Sequence, residues 1–340
     1  MAVVPTPITP PRAGPGDRIA RAALARLSPA GAAARLSIVI FHRVLPEPDP
    51  LFPDDVDRRR FDEICRWLAT WYQVLPLDEA VERLERGALR ARALAITFDD
   101  GYADNHDLAM PILRDHGLCA TFFIATGFLD GGRMWNDTVV EAVRRCAQPV
   151  LDLRGLGLAG IEQLDLAGDD ARRRALHQLL AAAKYLAPAQ RQAVVDRIAE
   201  RAGAVLPDDL MMRSAQVQAM ADAGMQIGAH TVSHPILARL DEADARMEMV
   251  RSKAELEALL GRPVTMFAYP NGKPGQDYLP RDVQLAREAG FRAAVSTAYG
   301  AARAGDGSTF QLPRFTPWDR GRWPFALRMA RNLFEPAPQS

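Results

Sequence analysis

An α/β fold built on a parallel sheet, open or closed into a barrel, is predicted by two features of the chain. Short apolar runs at 36–41, 94–98, 120–124 and 265–268 have the length and composition of buried strands. Stretches of helical period at 61–71, 78–87, 105–116, 215–223 and 242–260 lie between them. That alternation is the signature of parallel strands joined by helical crossovers. A third feature says where the chemistry sits. Paired carboxylates and paired histidines fall just past strand ends, the end of such sheets where functional groups gather.

In chain order, residues 1–16 are proline-rich and lack the basic start and apolar core of a secretory signal. Residues 18–36 form a broken amphipathic stretch, so 1–35 reads as an N-terminal extension. The sheet-bearing domain is expected over 36–318, with two further strands at 225–229 and 292–296. Within it, 139–206 is rich in alanine, leucine and arginine and poor in strand signals. This reads as a helical insertion, either a rim of the site or purely structural. The tail, 319–340, alternates arginines with Trp323, Phe325, Leu327, Met329 and Phe334. A helix packed on the barrel is the simpler reading; an interfacial membrane helix is the alternative.

Composition narrows the function. The 340 residues carry 42 basic and 42 acidic side chains, so no nucleic-acid surface is implied. Three cysteines, Cys65, Cys119 and Cys146, have no C-x-x-C spacing and read as free thiols. No segment has the roughly 18 uninterrupted apolar residues of a membrane span. The expected location is therefore cytoplasmic, with peripheral contact at the inner membrane face left open.

Thr97-Phe98-Asp99-Asp100-Gly101 closes the second apolar run. Gly101 permits a sharp turn that lets neighbouring side chains converge. His230 and His234 follow another glycine-containing strand, and an i, i+4 spacing on one helical turn would place both on one face. One carboxylate and two imidazoles make a three-ligand metal site with open positions, the arrangement of a catalytic metal. The second carboxylate is then free to act on water there.

Thr-Phe-Asp-Asp-Gly at 97–101 and His-Thr-x-x-His-Pro at 230–235 resemble the first two motifs of the polysaccharide deacetylases, the NodB-homology or carbohydrate esterase family 4 enzymes. Phe41-His42-Arg43-Val44 and the run 97–105 are similar to the exopolysaccharide N-deacetylase branch. The resemblance spans roughly 36–315 and implies a distorted (β/α) barrel with fewer than eight strands. It implies that Asp100, His230 and His234 bind a divalent metal, commonly zinc, with Asp99 as general base. It also implies an oxyanion donor near Tyr269.

Later motifs depart from the family pattern. Ala268-Tyr269-Pro270-Asn271-Gly272 lacks the arginine that usually orients the base, and Leu312-Pro313-Arg314 stands where a Leu-x-His general acid is usual. A guanidinium is a poor proton donor. Arg314 would either orient Asp99 from another strand or form a structural salt bridge. His42, ending the first strand, is the substitute acid, against a histidine bonded to backbone. Trp135 could stack on a sugar ring, with Asn136 and Asp137 capping the helix that follows.

The expected activity is metal-dependent hydrolysis of the acetamide of N-acetylated sugars, in a polysaccharide or a lipid-linked precursor, within exopolysaccharide biosynthesis. The alternatives are hydrolysis of another C–N bond, such as a cyclic amide, and a non-catalytic glycan-binding protein on a decayed site.

Overall fold

The computed structural model describes residues 14–158, 160–305, 308–317 and 319–340. The expected proline-rich start and the expected domain boundary at residue 318 lie outside these. The chain divides into two compact units, Met1–Glu47, Val56–Leu129, Met212–Ser340 and Pro48–Asp55, Asp130–Met211.

The first unit begins with α1 (Pro15–Leu27), β1 (Arg35–Phe41), α2 (Arg58–Trp71), β2 (Gln73–Val74), α3 (Leu77–Glu85) and β3 (Ala93–Phe98). A π turn, Asn105–Ala109, runs into α4 (Met110–Asp115), and β4 (Thr121–Ile124) follows. The second unit supplies α5 (Trp135–Arg145), the hairpin β5 (Val150–Asp152) and β6 (Gln163–Asp165), then α6 (Asp169–Lys184) and α7 (Pro188–Ala202). The chain re-enters the first unit through α8 (Ser214–Asp222), β7 (Gln226–Ala229), α9 (Glu242–Leu260), β8 (Met266–Ala268), α10 (Pro280–Glu288), β9 (Ala293–Val295), β10 (Ala302–Arg303) and α11 (Arg322–Asn332).

Strands β1, β3, β4, β7, β8 and β9 pair in that order, all parallel. The two edges are then bridged. Leu312 N–H donates to Ala294 O and Phe315 N–H to Ile38 O, so the extended segment 312–315 acts as a further stave between β9 and β1. The fold is thus the expected distorted (β/α) barrel. The closing stave has no apolar alternation of its own, which is why the sequence pattern does not reveal it.

Strand register decides which side chains face inward. Leu36, Ile38, Ala93, Ala95, Phe123, Met266, Ala268, Val295 and Leu312 share one buried cluster, the barrel interior. The alternate residues Val39, Phe41, Leu94, Ile96 and Phe98 pack outward against α2 and α4. Phe98 stacks on Phe41 and Phe122, with centroids 5.2 and 4.8 Å away. Each such ring pair contributes about 1 kcal/mol beyond its burial. Gly228 in β7 is required by this filling, because a Cβ there would sit 2.5 Å from the Phe123 ring.

The second unit differs from the expected insertion at 139–206. It extends from residue 130 to 211, takes in 48–55, and contains a hairpin as well as helices. The three-residue strands are too short to show a period in sequence. Its core joins Val139, Leu151, Leu164, Leu176, Leu179, Val195 and Ile198. Arg144 forks onto Asp49 at 3.0 and 2.5 Å, tying 48–55 to α5.

Candidate metal centre

The site is assembled where β1, β3, β7 and β8 end. Inward alternation along β3 runs Ala93, Ala95, Thr97, and its next inward position is Asp99. On the closing stave it runs Leu312, then Arg314. The two therefore meet at the top of the interior, although 215 residues separate them. Arg314 donates from Nη1 to Asp99 Oδ1 and from Nη2 to Asp99 Oδ2, both at 2.7 Å. Its Nε donates to Ser296 O at 2.8 Å, and Nη1 also reaches Thr97 Oγ1 at 3.3 Å. The guanidinium is 1% exposed and lies 5.9 Å from the Phe123 ring centroid. A planar fork of this kind matches a carboxylate in a way lysine cannot.

Asp100 turns away from Asp99 because its backbone is left-handed, φ 78°, followed by Gly101 at 92°. Its Oδ1 lies 3.4 Å from His230 Nε2 and 3.3 Å from His234 Nε2. The ligand atoms of these three residues all fall within 4.8 Å of one another. Tetrahedral zinc bonded at about 2.0–2.1 Å has ligand-to-ligand edges of about 3.3–3.4 Å. Two edges of the cluster already have that length. His230 Nδ1 is 2.7 Å from Ala268 O, which fixes the proton on Nδ1 and leaves the Nε2 lone pair facing Asp100. Asp100 Oδ1 is buried and has no hydrogen-bond donor among the described residues. The donor set fits a divalent cation.

The histidines do not lie on a helical turn, contrary to the expectation from their spacing. After β7 the chain forms a tight loop in which Thr231 and His234 have φ of 64° and 52°. Glu248 on α9 holds this loop. Its carboxylate accepts the N–H groups of Val232 and Ser233 at 2.7 and 2.9 Å and the Ser233 hydroxyl at 2.6 Å. Thr231 Oγ1 accepts the His234 N–H at 3.1 Å. The imidazole centroids end 4.8 Å apart. Glu248 carries no signal in sequence, since a glutamate on an amphipathic helix looks like a solvated face. Of six non-glycine residues with positive φ among the described residues, Asp100, Thr231, His234 and Asn271 all follow the ends of β3, β7 or β8. Strain concentrated in this way, at about 1–2 kcal/mol per residue, is typical of functional loops.

Electrostatics separate the two aspartates. Burial alone would raise Asp99, but the Arg314 charge and hydrogen bonds, with His230, hold it below the usual carboxylate range. Burial likewise opposes ionisation of Asp100, and His230 and His234 hold it well below that range. Burial lowers His234 to about 4, against the pull of Asp100. For His230 burial is outweighed by Asp99 and Asp100, and its pKa is raised. A site with two carboxylates against one arginine favours a cation, and a metal ion competes with a proton for His230 Nε2.

The other expected site residues are placed as follows. His42 is exposed directly after β1, and Asp99 N–H donates to the preceding Phe41 O at 3.0 Å, so the two lie level. Its charge acts on Asp99, Asp100 and His234. Asn105 Nδ2 donates to His42 O at 2.9 Å, which fixes the backbone there. Tyr269 is corrected. Its N–H is taken by Val295 O at 3.2 Å, its ring stacks on Tyr278 and its hydroxyl donates to Phe310 O. No donor remains for an oxyanion, because the residue is part of the sheet ladder. Two residues on, the Asn271 N–H has no acceptor among the described residues. Leu312 is also corrected: it fills the barrel interior and is 3% exposed, so it does not line a substrate surface. Trp135 begins α5 in the second unit, packs on that unit's core and carries the Arg191 guanidinium 5.0 Å over its ring.

Residues 86–149 and 181–294, just over half of the chain, match the family model for polysaccharide deacetylases. The chain belongs to the polysaccharide deacetylase family. It is accordingly a hydrolase of that type, acting on a carbon–nitrogen bond. Asp99, Asp100, His230 and His234 fall within the matched segments, whereas His42 and Arg314 lie outside them. The polysaccharide deacetylase YxkH of Bacillus subtilis is 21% identical over 276 residues, covering 81% of this chain and 68% of that protein. Among solved structures, IcaB from Ammonifex degensii aligns at TM-score 0.57 with 20% identity, over 89% of this chain and 98% of that one. The Streptococcus pyogenes deacetylase PplD, in complex with acetate, aligns at 0.55 with 20% identity, over 83% and 92%. These likenesses share the barrel fold.

Proposed function

We propose that this deacetylase is metal-dependent, with zinc as the ion, and hydrolyses the acetamide of N-acetylated sugars in a polysaccharide or a lipid-linked precursor, in the service of exopolysaccharide biosynthesis. The observation that carries the reading is the division of labour between adjacent aspartates. Asp100 joins two histidines at metal-ligand spacing, while Asp99 is held ionised by Arg314. The structure of PplD, a deacetylase in complex with acetate, is in keeping with acetate as product.

A divalent cation held by Asp100, His230 and His234 supplies Lewis acidity toward water and the acetamide carbonyl. Asp99 keeps free lone pairs beside the Arg314 fork, with Oδ2 4.0 Å from His230 Nε2, and takes the proton of the attacking water. The Asn271 N–H, unspent in the sheet, is a donor for the oxygen on which negative charge develops. His42 returns a proton to the sugar nitrogen. The C–N bond then breaks to acetate and an amine, and a neutral sugar becomes a cationic one.

Two results test this. Treatment with a chelator is expected to abolish acetate release from N-acetylglucosamine oligomers, and added Zn2+ to restore it. Release that persists in metal-free protein would defeat the metal-dependent reading. His42→Gln is expected to keep the parent metal content and lower kcat by about 100-fold, the usual worth of a positioned acid. Unchanged turnover removes His42 from the mechanism.

A further inference from the structure

Helices α1 and α11 lie side by side on α2. Trp71 of α2 donates from Nε1 to Asp17 of α1 at 2.9 Å and stacks on Phe325 of α11, 6.4 Å away. At Gly16 the two helices touch, since a Cβ there would lie 3.0 Å from the Trp323 ring. Their inward faces, Leu24, Phe325 and Met329, are buried in the main core. Their outward faces mix large apolar side chains with arginines.

Of ten large apolar side chains exposed among the described residues, five belong to this region: Ile19, Trp323, Leu327, Phe334 and Tyr299. Ile19 and Leu327 are each 72% exposed. At 100° per residue, Trp323, Leu327 and Phe334 fall within about 40° of one another on α11 and its continuation. Tyr299 adjoins their end, because Asn332 pins Gly300 through both its N–H and its carbonyl at 3.0 and 2.8 Å.

Charge identifies the occupant. The chain as a whole is neutral, yet the segments 14–27 and 319–335 hold seven arginines against three acids, Asp17, Asp319 and Glu335, with Arg328 paired to Asp319 and Arg331 to Glu335. Asp17 is buried and ion-paired with Arg322. Arg18, Arg21 and Arg26 are exposed beside Ile19. Exposed apolar and aromatic side chains flanked by arginines on a helical face match an anionic bilayer surface. The apolar groups enter the headgroup boundary while guanidinium groups meet lipid phosphates. No helix among the described residues is long and apolar enough to cross a membrane. We infer that the paired outer faces of α1 and α11 form a docking surface for anionic lipid membranes, with Ile19, Trp323, Leu327 and Phe334 as the inserting groups.

The test is co-sedimentation of the full chain with vesicles of phosphatidylcholine alone or mixed with phosphatidylglycerol. Binding is expected to the mixed vesicles only, with release at high salt as the arginines are screened. The double variant Ile19→Glu, Leu327→Glu is expected to weaken that binding by about tenfold or more, at unchanged thermal midpoint and unchanged acetate release from a soluble acetamido sugar. Absence of binding to the mixed vesicles overturns the inference, as does equal binding by parent and variant. So does a dimer, seen by light scattering, that the double variant abolishes, since the face would then belong to a second copy.

Discussion

Asp99→Asn is expected to retain bound metal and to lose about three orders of magnitude in kcat/KM, within the range for removal of a positioned proton acceptor. The substitution preserves shape and volume and removes only the charge and basicity. Asp99 is not one of the three clustered ligands, so metal content is expected to match the parent. Arg314 keeps one acceptor in the amide oxygen but loses the second, because an amide nitrogen is a donor. Some loss of stability is therefore expected alongside the loss of turnover. The two are separated by measuring kcat/KM on protein shown by thermal unfolding to be folded at the assay temperature. An Asp99→Asn variant that turns over at a tenth of the parent rate or better would move the base elsewhere.

Replacement of Arg314 by methionine is expected to be the most destabilising change at the site, by about 3–5 kcal/mol, the cost of leaving a buried charge without its partner. The larger lesson is in the pH dependence. In the parent, burial would raise Asp99, and Arg314 reverses that to a net lowering. A carboxylate lowered in the folded state contributes stability above its unfolded value, about 3.9. That contribution is lost as pH falls through the lower folded value. Without Arg314 the largest contribution opposing burial is gone, so the Asp99 pKa rises and the acid limb of kcat/KM moves upward in pH. Arg314→Lys, which keeps a charge but not the fork, is expected to fall between the two. An acid limb that stays in place in Arg314→Met would show that Arg314 is a structural ion and not the partner that keeps the base ionised.

The parts of this site differ in how plainly they could be read beforehand. Asp99, Asp100, His230 and His234 were visible because each pair is local in sequence and sits past a strand end. The alternation of apolar runs and helical periods likewise announced a parallel α/β sheet, and the family resemblance implied its closure into a distorted barrel. The manner of convergence was not visible. An i, i+4 histidine pair suggested a helical turn, and the loop that brings the rings together depends on Glu248, reaching in from α9. Tyr269 looked like an oxyanion donor until the pairing of β8 with β9 claimed its N–H. The contact of Arg191 with the Trp135 ring joins two helices of the second unit and has no local pattern in sequence.

Arg314 is the clearest case. Its type ruled it out as a proton donor from sequence alone, and a partnership with Asp99 stood only as one of two options. Whether the two meet is a matter of register: both side chains point inward only because β3 and the segment 312–315 reach the barrel mouth in the same phase. Residue chemistry and short-range periodicity are written in the chain, and they point to an Asp/His/His cluster with a spare carboxylate on a parallel α/β sheet. Register across 215 residues, the closing stave and the loop strain arise from cooperative packing of distant segments. Only the folded barrel therefore decides that the base is clamped by Arg314, which donor is left free, and which helical faces remain open to a partner.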